Sequence, residues 1–206
     1  MKKQLLVGIS QRVDFFSGRG ERRDALDQRM GQWLSQLGCI SVPIPNNLDG
    51  YIGDDHVSLQ QWLITLKLQA FVLSGGNDIG EAPERDQAER QILAYASSNK
   101  LPLLGICRGM QMMGIWAGAS LKPVSGHVCT RHRLQGSVSS EVNSFHNFAL
   151  EECPAGFEVL AATEDGEIEA ISHQTLPWEG WMWHPERESV FSAEQLNRAR
   201  HLLHAG

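Results

Sequence analysis

The segment Gly105-Ile106-Cys107-Arg108-Gly109 holds the residue types best suited to covalent chemistry. An apolar run, Leu101-Pro102-Leu103-Leu104, precedes it, and a stretch with helical character follows. This is the nucleophile-elbow pattern with Cys in place of Ser. Glycines at 105 and 109 permit a tight strand-to-helix turn that a Cβ would obstruct. A cysteine at a helix N-terminus meets unpaired N–H groups and the positive end of the dipole, which favour thiolate. The backbone N–H of Arg108 is then placed to face a developing oxyanion. A cysteine alone is more often a small buried packing residue, so the elbow needs a base.

Eight histidines are available, and His184 stands out in Trp181-Met182-Trp183-His184-Pro185-Glu186. The apolar run delivers it to a strand end, and Pro185 biases it toward extended backbone. Glu186, two residues on, can point the same way and hold one imidazole nitrogen, leaving the other for the thiol. Cys107, His184 and Glu186 form a candidate triad. Ser74-Gly75-Gly76-Asn77-Asp78 follows another apolar run, and its paired glycines let backbone N–H groups approach a substrate closely. No G-x-G-x-x-G or Walker A pattern occurs, so no nucleotide cofactor is expected.

The elements that must position these residues are legible as periodicity. Leu5–Ile9, residues 39–44, Ala70–Leu73 and residues 101–106 read as buried strands. Leu26, Met30, Trp33, Leu34 and Leu37 predict a helix over 24–37. Leu59, Trp62, Leu63 and Leu66 mark a second helix, Ile92, Leu93 and Ala96 a third over 84–98, and residues 108–118 a buried fourth. Alternation of strand and helix predicts an α/β fold of one domain over 1–206. Its sheet is doubly wound and mainly parallel, flavodoxin-like, with helices on both faces. Residues 120–185 read as strand and loop folded onto that sheet, including segments near 157–160 and 168–171. Ser192-Ala193-Glu194-Gln195 has the form of a capping box and predicts a closing helix to the chain end.

Composition narrows the function classes. In 206 residues, 42% are hydrophobic and 20% charged, ordinary for a globular protein, and the net charge is −6. That charge argues against nucleic acid or a membrane surface as partner. The basic start Met1-Lys2-Lys3 leads an apolar run too short for a signal peptide, so a cytoplasmic location is expected. Cys39, Cys107, Cys129 and Cys153 form no CxxC pair and are expected as free thiols. His127-Val128-Cys129-Thr130-Arg131-His132 offers three soft ligands but fits no strong zinc template, and the reading assigns no metal and no cofactor.

Four motifs, in order, carry a family resemblance: Ser74 to Asp78, Gly105 to Gln111, Asn143-Ser144-Phe145-His146 and Trp183 to Glu186. Together they resemble class I glutamine amidotransferases and, within them, the peptidase C26 group of γ-glutamyl hydrolases. The resemblance implies that Cys107 attacks a γ-carbonyl, His184 shuttles the proton and Glu186 orients His184. It implies an oxyanion hole from the N–H groups of Gly76 and Arg108. It also implies a glutamyl cradle from Gln111, Asn143, Ser144, Phe145 and His146. Gly20-Glu21-Arg22-Arg23-Asp24-Ala25-Leu26-Asp27 and Glu186-Arg187-Glu188 resemble the subgroup that acts on γ-glutamyl-CDP-amidate in bacterial capsule synthesis. Arg22, Arg23 and Arg187 are then candidate phosphate contacts. The alternatives are a γ-glutamyl-aminobutyrate-type hydrolase, a glutaminase passing ammonia to a separate synthetase subunit, and a non-catalytic metal-binding or regulatory protein. A small-molecule γ-glutamyl substrate is the expected partner; the sequence leaves homo-oligomerisation undetermined.

Overall fold

A computed structural model describes residues 4–52 and 55–205; side chains are described outside 49–56. The basic start at Met1–Lys3 and the terminal Gly206 lie outside the described residues. The central sheet contains, in chain order, β1 (Leu5–Ile9), β2 (Cys39–Pro43), β3 (Ala70–Leu73), β4 (Leu103–Ile106), β5 (Gln135–Gly136), β6 (Phe157–Ala162), β7 (Ile168–His173) and β8 (Trp178–Trp181). Their spatial order is β5-β6-β7-β8-β4-β3-β1-β2. The five strands from β8 to β2 run parallel, and β7, β6 and β5 extend the sheet antiparallel.

Period-two alternation sends each inner strand to both faces. Ala70 and Val72 join one core with Leu104, Ile106 and Trp181; Phe71 and Leu73 join the other with Leu103 and Trp178. Helices α1 (Gln28–Gln36) and α5 (Ala193–Leu203) cover the first face through Met30, Trp33, Leu34, Ala199 and Leu203. Helices α2 (Leu59–Leu66), α3 (Pro83–Asn99) and α4 (Arg108–Trp116) cover the second. This is the expected doubly wound α/β architecture. Ser192 caps α5 by accepting from Gln195 N at 3.4 Å.

Two regions differ from expectation. The helix predicted from residue 24 starts at Gln28, capped by Asp27, whose carboxylate accepts from Arg29 N at 2.9 Å. Residues before it form a β-ribbon, Arg12–Phe16 against Glu21–Ala25, turned at Gly20 in left-handed backbone (φ 61°). Asp24 is committed to Asn46, accepting from its N–H at 2.9 Å and from Nδ2 at 2.8 Å, which ties the ribbon beside the sheet. Residues 120–185 are strand and loop as expected, but only part of them joins the main sheet. Two separate ribbons pair Val128–Arg133 with Glu141–Phe145, and Leu121–Pro123 with Phe148–Leu150.

No helix among the described residues is long and apolar enough to cross a membrane. All four cysteines are free thiols.

Candidate active site

Three neighbouring parallel strands, β3, β4 and β8, end at the same edge of the sheet. The chain leaving each carries one of the sequence-predicted motifs. In open α/β sheets this carboxyl edge is where ligands bind. Ser74-Gly75-Gly76 follows β3, Cys107 follows β4, and His184 lies three residues beyond β8.

Cys107 has φ 52° and ψ −108°, between the end of β4 and the first turn of α4. A non-glycine residue at positive φ is strained, and such strain is held in place by its surroundings. Here the surroundings are tight. A Cβ at Gly109 would strike Leu73 O and sit 2.8 Å from Leu73 C, so only glycine lets α4 seat against β3. Cys107 N donates to Trp181 O at 2.7 Å, tying the elbow to β8. The Arg108 N–H lies in the first helical turn, where no intrahelical acceptor exists.

His184 is buried (1% exposed), faces the same cavity as Cys107 and hydrogen-bonds to Glu186, with Nδ1 2.7 Å from Glu186 Oε1. Burial pushes its pKa down. Its interactions with Cys107 and Glu186 outweigh that and hold it up at about 9. The His-Pro-Glu turn is fastened from two sides. Asn143 accepts from His184 N at 2.9 Å and donates Nδ2 to His184 O at 2.8 Å. Arg29 of α1 donates to Glu186 O at 2.8 Å and to Glu188 O. Gly75 leaves room for the ring, since a Cβ there would strike His184 Cε1.

A cavity of about 260 Å³ opens over these groups, lined among others by Gly76, Cys107, Gln111, Phe145, His146, His184 and Arg187. Gln111 is held by donation from Nε2 to Phe148 O at 2.8 Å. Phe145 stands edge-on to His184, with centroids 5.8 Å apart, and the Arg187 guanidinium lies over its ring at 5.0 Å. Asp78 and Glu81 add acidic groups to the wall. Burial first, then Glu81, raise the Asp78 carboxyl pKa against the opposing Arg108. Asn143 and Ser144 lie elsewhere: Asn143 clamps His184, and Ser144 donates Oγ to His127 O at 2.7 Å.

The three candidate phosphate contacts separate. Arg187 lines the Cys107 cavity. Arg22 lines an adjoining groove of about 530 Å³ that shares Asn77 and Glu81 with that cavity, and it pairs with Glu84 at 2.5 Å. Arg23 pairs with Glu21 at 2.6 Å and lies over Phe16 of that groove, without lining the groove or the cavity itself.

A buried polar hub under the site escaped the sequence reading. Arg85 and Glu89, both fully buried, pair at 3.0 Å one turn apart on α3. Glu89 also meets Arg108 Nη1 and accepts from Ser10 Oγ at 2.7 Å, and Arg108 Nη2 meets Asp86. Arg85 donates to Ser74 O at 2.6 Å, to Gly75 O at 3.1 Å and to Gly76 O. The signal in the sequence was the i, i+4 pair Arg85 and Glu89 beside a glycine loop.

Residues 47–198 match the family profile of glutamine amidotransferase class-I. The chain is 31% identical over 202 residues to a gamma-glutamyl-CDP-amidate hydrolase of Campylobacter jejuni, covering 93% of this chain and 95% of that one. It is 27% identical over 168 residues to a glutamine-hydrolyzing GMP synthase subunit of Methanocaldococcus jannaschii, covering 77% and 81%. The fold is similar to the crystal structure of a putative GMP synthase subunit from Thermoplasma acidophilum, with a TM-score of 0.73 at 20% identity, covering 98% of this chain and 94% of that one. With that profile match and those strand-end motifs, the chain belongs to the class I glutamine amidotransferase family.

Proposed function

We propose that the protein hydrolyses a γ-glutamyl amide bond through a thioester on Cys107. The Cys107 thiolate attacks the γ-carbonyl carbon, and the oxyanion that forms is met by the N–H groups of Gly76 and Arg108. The C–N bond breaks as His184 gives its proton to the leaving nitrogen. Water then attacks the thioester, His184 takes a proton from it, and glutamate and the thiol are released. Glu186 holds the His184 ring throughout. The observation that carries this reading is the strained Cys107, lining one cavity with a buried His184 whose Nδ1 Glu186 holds at 2.7 Å.

The favoured substrate is γ-glutamyl-CDP-amidate, which would yield glutamate and cytidine diphosphoramidate. The similarity to the Campylobacter hydrolase, spanning nearly both chains, supports it. So does the chemistry of the ribbon beside the cavity. Its groove presents the Arg22 guanidinium with Phe15 and Phe16, which are 61% and 44% exposed. A cation beside exposed aromatic rings suits a phosphate joined to a base. The likeness to the Methanocaldococcus GMP synthase protein supports a second reading, a glutaminase whose ammonia passes to a separate synthetase.

Comparison of kcat/KM for γ-glutamyl-CDP-amidate, glutamine and γ-glutamyl-aminobutyrate tests the substrate. Preference for the nucleotide amide by tenfold or more, about 1.4 kcal/mol, is the expected result. Preference for glutamine would replace this substrate with the glutaminase reading.

A further inference from the structure

Beside the cavity, at the His146 part of its lining, three buried side chains converge on one another. His127 immediately precedes the ribbon strand Val128–Arg133, His146 follows Glu141–Phe145, and Glu169 comes from β7 of the main sheet. They are 1%, 2% and 0% exposed. His127 Nδ1 lies 3.2 Å from His146 Nε2 and 3.4 Å from Glu169 Oε1, and His146 Nε2 lies 3.2 Å from the same oxygen.

The outer nitrogen of each ring decides where its proton sits. His127 Nε2 is 3.1 Å from Asp165 Oδ2, and His146 Nδ1 is 3.0 Å from Phe148 O. A carboxylate and a carbonyl only accept, so each neutral ring places its proton there. His127 Nδ1, His146 Nε2 and Glu169 Oε1 are then three acceptors in contact with no donor among them. One added proton can lie between only one pair of the three. Glu169 Oε2 is also buried without a hydrogen-bond partner, and an unpaired buried carboxylate oxygen is costly.

A divalent cation satisfies all three atoms at once. Zinc takes imidazole and carboxylate ligands at roughly 2.0–2.2 Å, so neighbouring ligand atoms of a tetrahedral site lie roughly 3.3–3.5 Å apart. The observed triangle is close to that size. Outer hydrogen bonds from ligand imidazoles to a carboxylate and a carbonyl are the usual support of such sites. We propose that His127 Nδ1, His146 Nε2 and Glu169 Oε1 bind a divalent transition-metal ion of the zinc type. The fourth position falls to Glu169 Oε2 or water. The ion ties both ends of the 128–145 ribbon to the main sheet and so fixes the cavity wall that His146 forms. Cys129, which accompanies His127 in the sequence, is exposed and is not among the ligands.

The full-length Cys107→Ala protein, stripped of metal with a chelator and titrated with zinc chloride by calorimetry, tests this. That background removes the catalytic thiol as a competing ligand, so the outcome is independent of the proposed hydrolysis. One zinc per chain is expected, with a rise in Tm as it binds and visible absorption when cobalt(II) replaces it. Adding Glu169→Gln or His127→Asn should weaken binding by about 100-fold or more. Absence of binding at ~100 µM zinc, more than about a thousandfold above the Kd of a structural zinc site, overturns the proposal. Binding undiminished in both added variants also overturns it.

Discussion

Replacing Arg85 with lysine keeps a buried positive charge but removes the fork that holds the glycine loop. Arg85 donates to the carbonyl oxygens of Ser74, Gly75 and Gly76 while pairing with Glu89. In a trans peptide the N–H points opposite to the C=O. Drawing Gly75 O toward Arg85 therefore turns the Gly76 N–H away from it, the orientation an oxyanion donor needs. A lysine ammonium can meet Glu89 but cannot span three carbonyls. At least two hydrogen bonds from a charged donor are lost, each worth about 1.5–3 kcal/mol. The lower end, about 3 kcal/mol, lowers Tm by roughly 6–12 °C in a chain of this size. Misplacing one oxyanion donor costs about 100- to 1000-fold in kcat. Thermal unfolding and steady-state kinetics, run well below the lowered Tm, read both effects, with kcat falling far more than KM. A folded Arg85→Lys protein with wild-type kcat would refute the reasoning.

Gly109→Ala should destabilise the fold by about 1–3 kcal/mol, because its Cβ meets strand backbone rather than a movable side chain; urea unfolding measures this. The imidazole of His184 should titrate near pH 9 by NMR, and move down toward its ordinary 6.5 in Glu186→Gln or Cys107→Ala, each of which removes one support. Because the folded pKa of His184 is raised, its own contribution to stability is fully present below about pH 6.5 and is lost as pH rises through 9. The stability gap between wild type and His184→Gln should therefore narrow across that window. Combining Arg22→Ala with Phe15→Ala should raise KM for the nucleotide-bearing substrate about tenfold, about 1.4 kcal/mol, and leave glutamine kinetics unchanged.

Strands β3 and β4 were legible because each is a short apolar run followed by serine or cysteine, and β8 because an apolar run leads to His184-Pro185. The helices of the two faces were legible from residues such as Met30, Trp33 and Leu34, or Ile92, Leu93 and Ala96. The ribbon at 12–25 was not. Leu26 extends the helical period backward, and only the turn at Gly20 and the distant bond from Asp24 to Asn46 decide against it. Motif order brought Cys107, His184 and Glu186 to one place, but it did not separate lining from scaffold. Phe145 and His146 line the cavity, while Asn143, from the same motif, clamps the His184 backbone. Along the strand Glu141–Phe145, Asn143 and Phe145 share the face turned to His184 while Ser144 points the other way to His127 O, and the ribbon that sets this face is one no local pattern reveals. No local pattern by itself marks Arg85 and Glu89 as part of the site, because their partners lie in Ser10, the glycine loop and Arg108, which are remote in sequence.

The central claim concerns a covalent bond at one sulfur, so trapping that bond tests it most directly. Mass spectrometry of the protein quenched in acid during turnover of γ-glutamyl-CDP-amidate or glutamine should show a single γ-glutamyl adduct. Peptide mapping should place it on Cys107, and it should be absent from Cys107→Ala. Turnover retained in Cys107→Ala, or an adduct on another residue, would contradict the account.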